Sequence, residues 1–122
     1  NTKTILDRYK EVNEKYQKLL EKARKEVKGK LLFFSYGGDL SLSANISNQL
    51  IHEFPDKLIV VAYSKGEVFN ISLSGKKSLY ITKKAIKDIP NSSGGGHKQA
   101  TGAKINFGDL EKFKDNLEKL VK

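Results

Sequence analysis

Residues 93–103 read SGGGHKQATGA, and the fold turns on how the three glycines in front of His97 are taken. A glycine run permits positive φ and lets a ligand approach backbone N–H groups that a Cβ would shield. Read as a loop, residues 97–101 form a turn whose converging N–H groups can bind phosphate oxygens. Lys98 adds charge there, and the His97 imidazole can donate to a phosphate or a base edge. A tight packing turn, where helix and strand meet too closely for side chains, is the alternative. The stretch is neither a P-loop, which needs Lys and Ser/Thr after its last glycine, nor a dinucleotide fingerprint, whose glycines are spaced.

Outward from the glycines, the chain alternates between two hydrophobic periods. Downstream, 102–107 is expected as a last strand, and Asp109 opens a closing helix with Leu110, Phe113, Leu117 and Leu120 inward. Upstream, Pro90-Asn91-Ser92-Ser93 breaks a helix that Ser78 can cap and that runs to about Lys87. Before it, residues 58–64 and 67–73 supply two strands around Lys65-Gly66. In the second, Phe69, Ile71 and Leu73 share one face, while Val68, Asn70, Ser72 and Ser74 share the other, where a ligand could lie. LLFFSY at 31–36 is an apolar strand entering a Gly37-Gly38-Asp39 turn. Ser41 or Ser43 can cap the following helix, which carries Leu42, Ile46, Leu50 and Phe54 up to Pro55.

The N-terminal segment repeats Ile5, Tyr9, Val12, Tyr16, Leu19, Ala23 and Val27 at steps of three and four. This is one long amphipathic helix ended by Gly29. It serves as a connector to a further domain, as a dimerising coil giving a homodimer, or as a helix packed on the sheet. The expected architecture is α/β: a small mixed β-sheet flanked by helices, with residues 1–29 as connector and 30–122 as the lobe. At 122 residues and 38% apolar content, one domain is expected. A chain without methionine, even at position 1, is expected to be a piece of a longer protein.

Charge and composition restrict function. The net charge of +9 is unevenly spread: residues 1–30 carry ten Lys/Arg against five acids, 57–104 nine against two, and 31–56 none against three. The excess attracts polyanions, or it serves solubility alone. Lys76, Lys77, Lys83, Lys84 and Lys87 could steer a nucleotide or single strand, or form a solvated face. Tyr36, Tyr63 and Tyr80 could stack on bases, though strand tyrosines more often pack. Absent cysteine removes disulfides, thiolate zinc sites and a cysteine nucleophile. No apolar run suits a membrane span or a signal peptide, so a soluble domain is expected, and a cytoplasmic location fits the absence of cysteine. His52 has no metal-ligand spacing to His97, and Ser41, Ser43 and Ser78 have no base near them in sequence.

The words SSGGGHKQATGA resemble the GGGH motif of the DHH-associated domain, the smaller C-terminal lobe of the DHH phosphoesterase superfamily. Its members include RecJ-like exonucleases, nanoRNases acting also on 3′-phosphoadenosine 5′-phosphate, and cyclic-dinucleotide phosphodiesterases. The resemblance covers most of 30–107. It implies that Gly94, Gly95, Gly96 and His97 contact the phosphate and sugar of a short oligonucleotide or small nucleotide, while an N-terminal DHH catalytic lobe of the same polypeptide hydrolyses it with divalent metal, usually manganese. The Asp-His-His signature is missing here, so this piece should hold no metal and hydrolyse nothing alone. Many members carry an Arg in the strand that here reads Ser72-Leu73-Ser74; with Ser74 in that place, grip on the substrate should differ, with Lys76 or Lys98 as substitutes. A non-catalytic single-strand or RNA-binding module and a structural or dimerisation domain are the alternative functions.

Overall fold

A computed structural model describes residues 2–122; Asn1, the first residue of the expected connector, lies outside them. The elements are α1 (Thr2–Arg24), β1 (Val27–Lys28), β2 (Leu31–Tyr36), α2 (Ser43–Glu53), β3 (Leu58–Lys65), β4 (Val68–Ser74), α3 (Ser78–Ile86), β5 (Ser93–His97), β6 (Ala100–Asn106), a 3-10 turn (Phe107–Asp109) and α4 (Leu110–Leu120). Six strands form one mixed sheet in the order β1-β2-β3-β4-β6-β5. Only β2 and β3 run parallel, which is why α2 connects them; the other neighbours are antiparallel.

Strand alternation sorts the apolar residues onto two faces. On one, Val60, Ala62, Phe69, Ile71, Leu73, Ala103 and Ile105 meet Ile81 and Ala85 of α3 and Phe113 and Leu117 of α4. On the other, Leu32, Phe34, Ile59 and Val61 meet Leu20 and Ala23 of α1 and Ile46 and Leu50 of α2. The fully buried strand residues of the second core come from β2 and β3, with half-buried Val27 of β1 packed against them. α2 reaches β4 at Ser74, whereas Asn70 of β4, Ala100, Gly102 and Lys104 of β6, and Ser93 and His97 of β5 are exposed on the same face, and this asymmetry creates the site.

Several expectations at element ends are corrected. Val27 belongs to β1, opposite Leu32, and not to the helix; Gly29, at φ +57°, closes the β1–β2 hairpin instead of ending α1. Neither Ser41, Ser43 nor Asp109 makes a side-chain cap. The Ser43 hydroxyl bonds the Tyr36 hydroxyl at 2.8 Å, and that same Tyr36 oxygen accepts from the Leu42 N–H. Ser78 is not a cap either: its hydroxyl is wholly buried and donates to the Leu73 carbonyl. Only the last turns of α1 pack on the sheet, leaving Ile5, Leu6 and Tyr9 exposed.

Arg24 and Glu53 tie the ends of α1 and α2 by paired bonds of 2.7 and 2.8 Å. That bond, and a second from Gln49, hold the Glu53 carboxyl at about 2, below its ordinary 4.5. A carboxylate with a depressed pKa contributes stability fully above the unfolded value and loses it as pH falls from about 4.5 toward 2. Water reaches both groups, which limits the contribution to about 1 kcal/mol. Glu53→Gln is therefore expected to lower stability by about that amount at pH 7 and by progressively less toward pH 2, measured by urea unfolding against pH.

Candidate functional site

The glycine stretch is not a loop. Residues 93–97 form the edge strand β5, paired antiparallel with β6, and Lys98-Gln99 is the turn of a hairpin. The turn expected over 97–101 is confined to Lys98-Gln99, and the last strand begins at Ala100 and not at 102. Two tertiary hydrogen bonds account for the turn: the Gly75 N–H donates to the Gln99 carbonyl (3.0 Å) and the Leu79 N–H to the Lys98 carbonyl (3.2 Å). The first turn of α3 thus spends a backbone donor on the hairpin and not on a ligand.

The three glycines have different reasons to lack a side chain. At Gly94 a Cβ would press on Thr82 and Ile86 of α3 at 3.0 and 3.1 Å. Gly96 has φ +141°, and a Cβ there would sit 2.6 Å from the Ala100 carbonyl oxygen. Gly95 points to the opposite face, and a Cβ there would meet nothing within 4 Å. Packing therefore explains Gly94 and Gly96 and leaves Gly95 unexplained.

The uncovered face of β4, β6 and β5 is a grid of three rungs fixed by register. Ser74, Ala100 and His97 form one, Ser72, Gly102 and Gly95 the next, Asn70, Lys104 and Ser93 the third. Strands about 4.8 Å apart and rungs about 6.8 Å apart make a surface roughly 10 by 14 Å. No rung residue is acidic. The middle rung carries two opposed glycines, exposed Gly102 and half-buried Gly95, so backbone without side chains lies beside Ser72. A shallow hollow of about 410 Å³ runs along Ser93, Gly94, Gly95, Gly102, Ala103 and Lys104.

Among the expected site residues, Ser72, Gly95 and His97 share this face, and Lys98 borders it in the turn. Gly94 and Gly96 support the hairpin from the other side. Ser74 is on the face but engaged: its hydroxyl and that of buried Ser47, midway along α2, lie 2.8 Å apart. Lys76 is exposed on the α3–α4 side, lining a hollow with Lys30, Lys57 and Ile81. Sequence reasoning missed Lys104. Its place between inward Ala103 and Ile105 marks it as outward, but only the β4–β6–β5 register sets it between Asn70 and Ser93.

Other features lie elsewhere. A larger apolar hollow of about 450 Å³, lined by Leu31, Phe33, Lys114 and Val121, is at the opposite sheet edge and contains none of the expected residues. Tyr36 and Tyr63 pack against each other at 5.0 Å, and the Tyr63 hydroxyl donates to the Gly38 carbonyl, so neither ring is a free stacking platform. His52 is exposed on α2. Among the described residues no three His, Asp or Glu side chains come together to seat a metal ion. No helix among them is long and apolar enough to cross a membrane.

The chain is similar in fold to the C-Ala domain of alanyl-tRNA synthetase from Aquifex aeolicus, at a TM-score of 0.58 and 15% identity, over 74% of this chain and 86% of that one. It is similar to RecJ from Thermus thermophilus, in complex with Mg2+, at a TM-score of 0.70 and 13% identity, over 96% of this chain and 20% of that one. A structure described as a member of the s1p family of ribosomal proteins, PF0399 DHH domain, matches at a TM-score of 0.55 and 22% identity, over 96% of this chain and 32% of that one. The chain thus spans about a fifth of RecJ and a third of the PF0399 protein. No curated protein matches it. The DHHA1 domain family matches residues 28–122, from the β1–β2 hairpin through the glycine strand to the last residue, and the chain belongs to that family.

Proposed function

We propose that this domain is the nucleotide-gripping lobe of a DHH-type phosphoesterase. The substrate lies across the open rungs: His97 donates to phosphate or sugar, the bare backbone at Gly95 and Gly102 allows close approach, and Ser72, Lys98 and Lys104 supply hydroxyl and charge. The observation that carries this reading is Gly95, a glycine on an open face where no neighbour forbids a side chain. An N-terminal DHH lobe of the same polypeptide, reached through the exposed half of α1, supplies the divalent metal, manganese by family resemblance, and the hydrolysis of a short oligonucleotide or small nucleotide in the cytoplasm. The DHHA1 lobe contributes positioning, which can provide much of a rate without performing chemistry.

The likeness to a C-Ala domain favours a second reading, a nucleic-acid-binding module without catalysis. Binding of adenosine monophosphate and of a dinucleotide, followed by calorimetry, tests the first. Gly95→Val and His97→Ala are expected to weaken both by about tenfold, some 1.4 kcal/mol, while the folded state is unchanged. Wild-type affinity in both variants contradicts the grip, and binding of long strands with none of short ligands favours the second reading.

A further inference from the structure

Helix α3 crosses behind the glycine strand, and its outer side carries lysines and a tyrosine without an acid among them. Its buried positions are Ser78, Ile81, Thr82 and Ala85. The half-buried pair Leu79 and Ile86 lies over β5, since the Leu79 N–H reaches the Lys98 carbonyl and Ile86 abuts Gly94. At about 100° per residue, Lys83 falls some 50° further round from that pair, followed by Lys87, Tyr80 and Lys84. All four are exposed, and Tyr80 is 59% so. Residues 78–87 contain no acid, and Asp88 is engaged by Lys112 and Asn116. The Lys84 ammonium lies 5.6 Å from the centroid of the Tyr80 ring.

We propose that this Tyr80, Lys83, Lys84 and Lys87 surface is a second contact for single-stranded nucleic acid, holding the part of a strand that leaves the open rungs over the β5 edge. The chemistry selects the ligand. An exposed ring flanked by lysines at one-turn spacing suits alternating bases and phosphates, whereas a solvated helix face needs no aromatic. Continuity selects the path: Lys98 and Gly94 touch α3 directly, so a strand crossing the edge beside them meets Lys83 first. The surface makes affinity grow with length beyond the ligand that the rungs accommodate. It rests on the proposed grip for direction of travel but uses none of the grip's residues.

The test compares oligoadenylates of two and ten nucleotides against the whole chain at several salt concentrations, with Tyr80→Ala, Tyr80→Phe and the double variant Lys83→Gln/Lys87→Gln. Ten-nucleotide affinity is expected to fall about tenfold in Tyr80→Ala and to be retained in Tyr80→Phe. In the double variant the logarithmic salt slope should decrease by about 1.4, from about 0.7 per lysine on single strands. Dinucleotide affinity should be unchanged in all three. An unchanged ten-nucleotide affinity, equal binding of a duplex, or a reduced slope with Tyr80→Ala neutral overturns the proposal, the last leaving general polyanion attraction. If the dinucleotide fails to bind while the ten-nucleotide strand still depends on Tyr80, the grip fails and this surface stands.

Discussion

Gly96→Ala is expected to destabilise the domain by about 3 kcal/mol, while Gly95→Ala, one residue away, changes it by no more than about 0.5 kcal/mol in either direction. Two separate costs meet at Gly96. Its φ of +141° is a conformation that residues with a Cβ rarely adopt, and the new methyl would sit 2.6 Å from the Ala100 carbonyl and 3.0 Å from the Thr101 Cα. Both neighbours are backbone of the paired strand, held on one side by the hairpin ladder and on the other by pairing with β4, so neither can rotate away as a side chain would. Gly95 has ordinary strand geometry and open space, and alanine there gains the usual advantage over glycine in the unfolded chain. Thermal unfolding should place Gly96→Ala roughly 10 to 15 °C below wild type. Equal melting temperatures for the two variants would contradict the packing assigned to the glycine strand.

Thr101→Val is expected to cost about 2 kcal/mol although it preserves the residue's shape. Thr101 Oγ1 lies 2.6 Å from the Ser78 hydroxyl and 2.8 Å from the Thr82 hydroxyl, in a buried cluster that joins β6 to the start of α3. Ser78 retains its bond to the Leu73 carbonyl in the variant, whereas the wholly buried Thr82 hydroxyl loses the threonine it faces. An unsatisfied buried hydroxyl carries its desolvation penalty undiminished. The double variant Thr82→Val/Thr101→Val should therefore be less destabilised than the sum of the singles, because the second change removes the orphan. Strict additivity in urea unfolding would show that the hydroxyls do not act as a unit.

Most of the fold is legible in the sequence because it rests on periodicity. Phe69, Ile71 and Leu73 alternate, Phe113 and Leu117 recur at helical spacing, and each lands in the core their spacing implies. Glycines carry no such signal, so Gly94 to Gly96 read as a loop even though they are a strand. The Lys98-Gln99 turn also lacks the Asn-Gly type of hairpin signature; bonds from Gly75 and Leu79, distant in sequence, hold it instead. His97 and Gly95 were legible as candidates through the motif, whereas the separate duties of the three glycines depend on which face each one meets. Ser74 read correctly as outward, but its engagement by Ser47 depends on how α2 packs against β4, which no local pattern carries.

The most direct measurement is a backbone amide chemical-shift titration of the 122-residue chain with adenosine monophosphate, repeated on His97→Ala. The nucleotide grip predicts saturable shifts on Ser72, Ser93, Gly95, His97, Gly102 and Lys104, small ones on the α1–α2 face, and their loss in the variant. Shifts spread over the lysines, equal in both proteins and erased by salt, would contradict it.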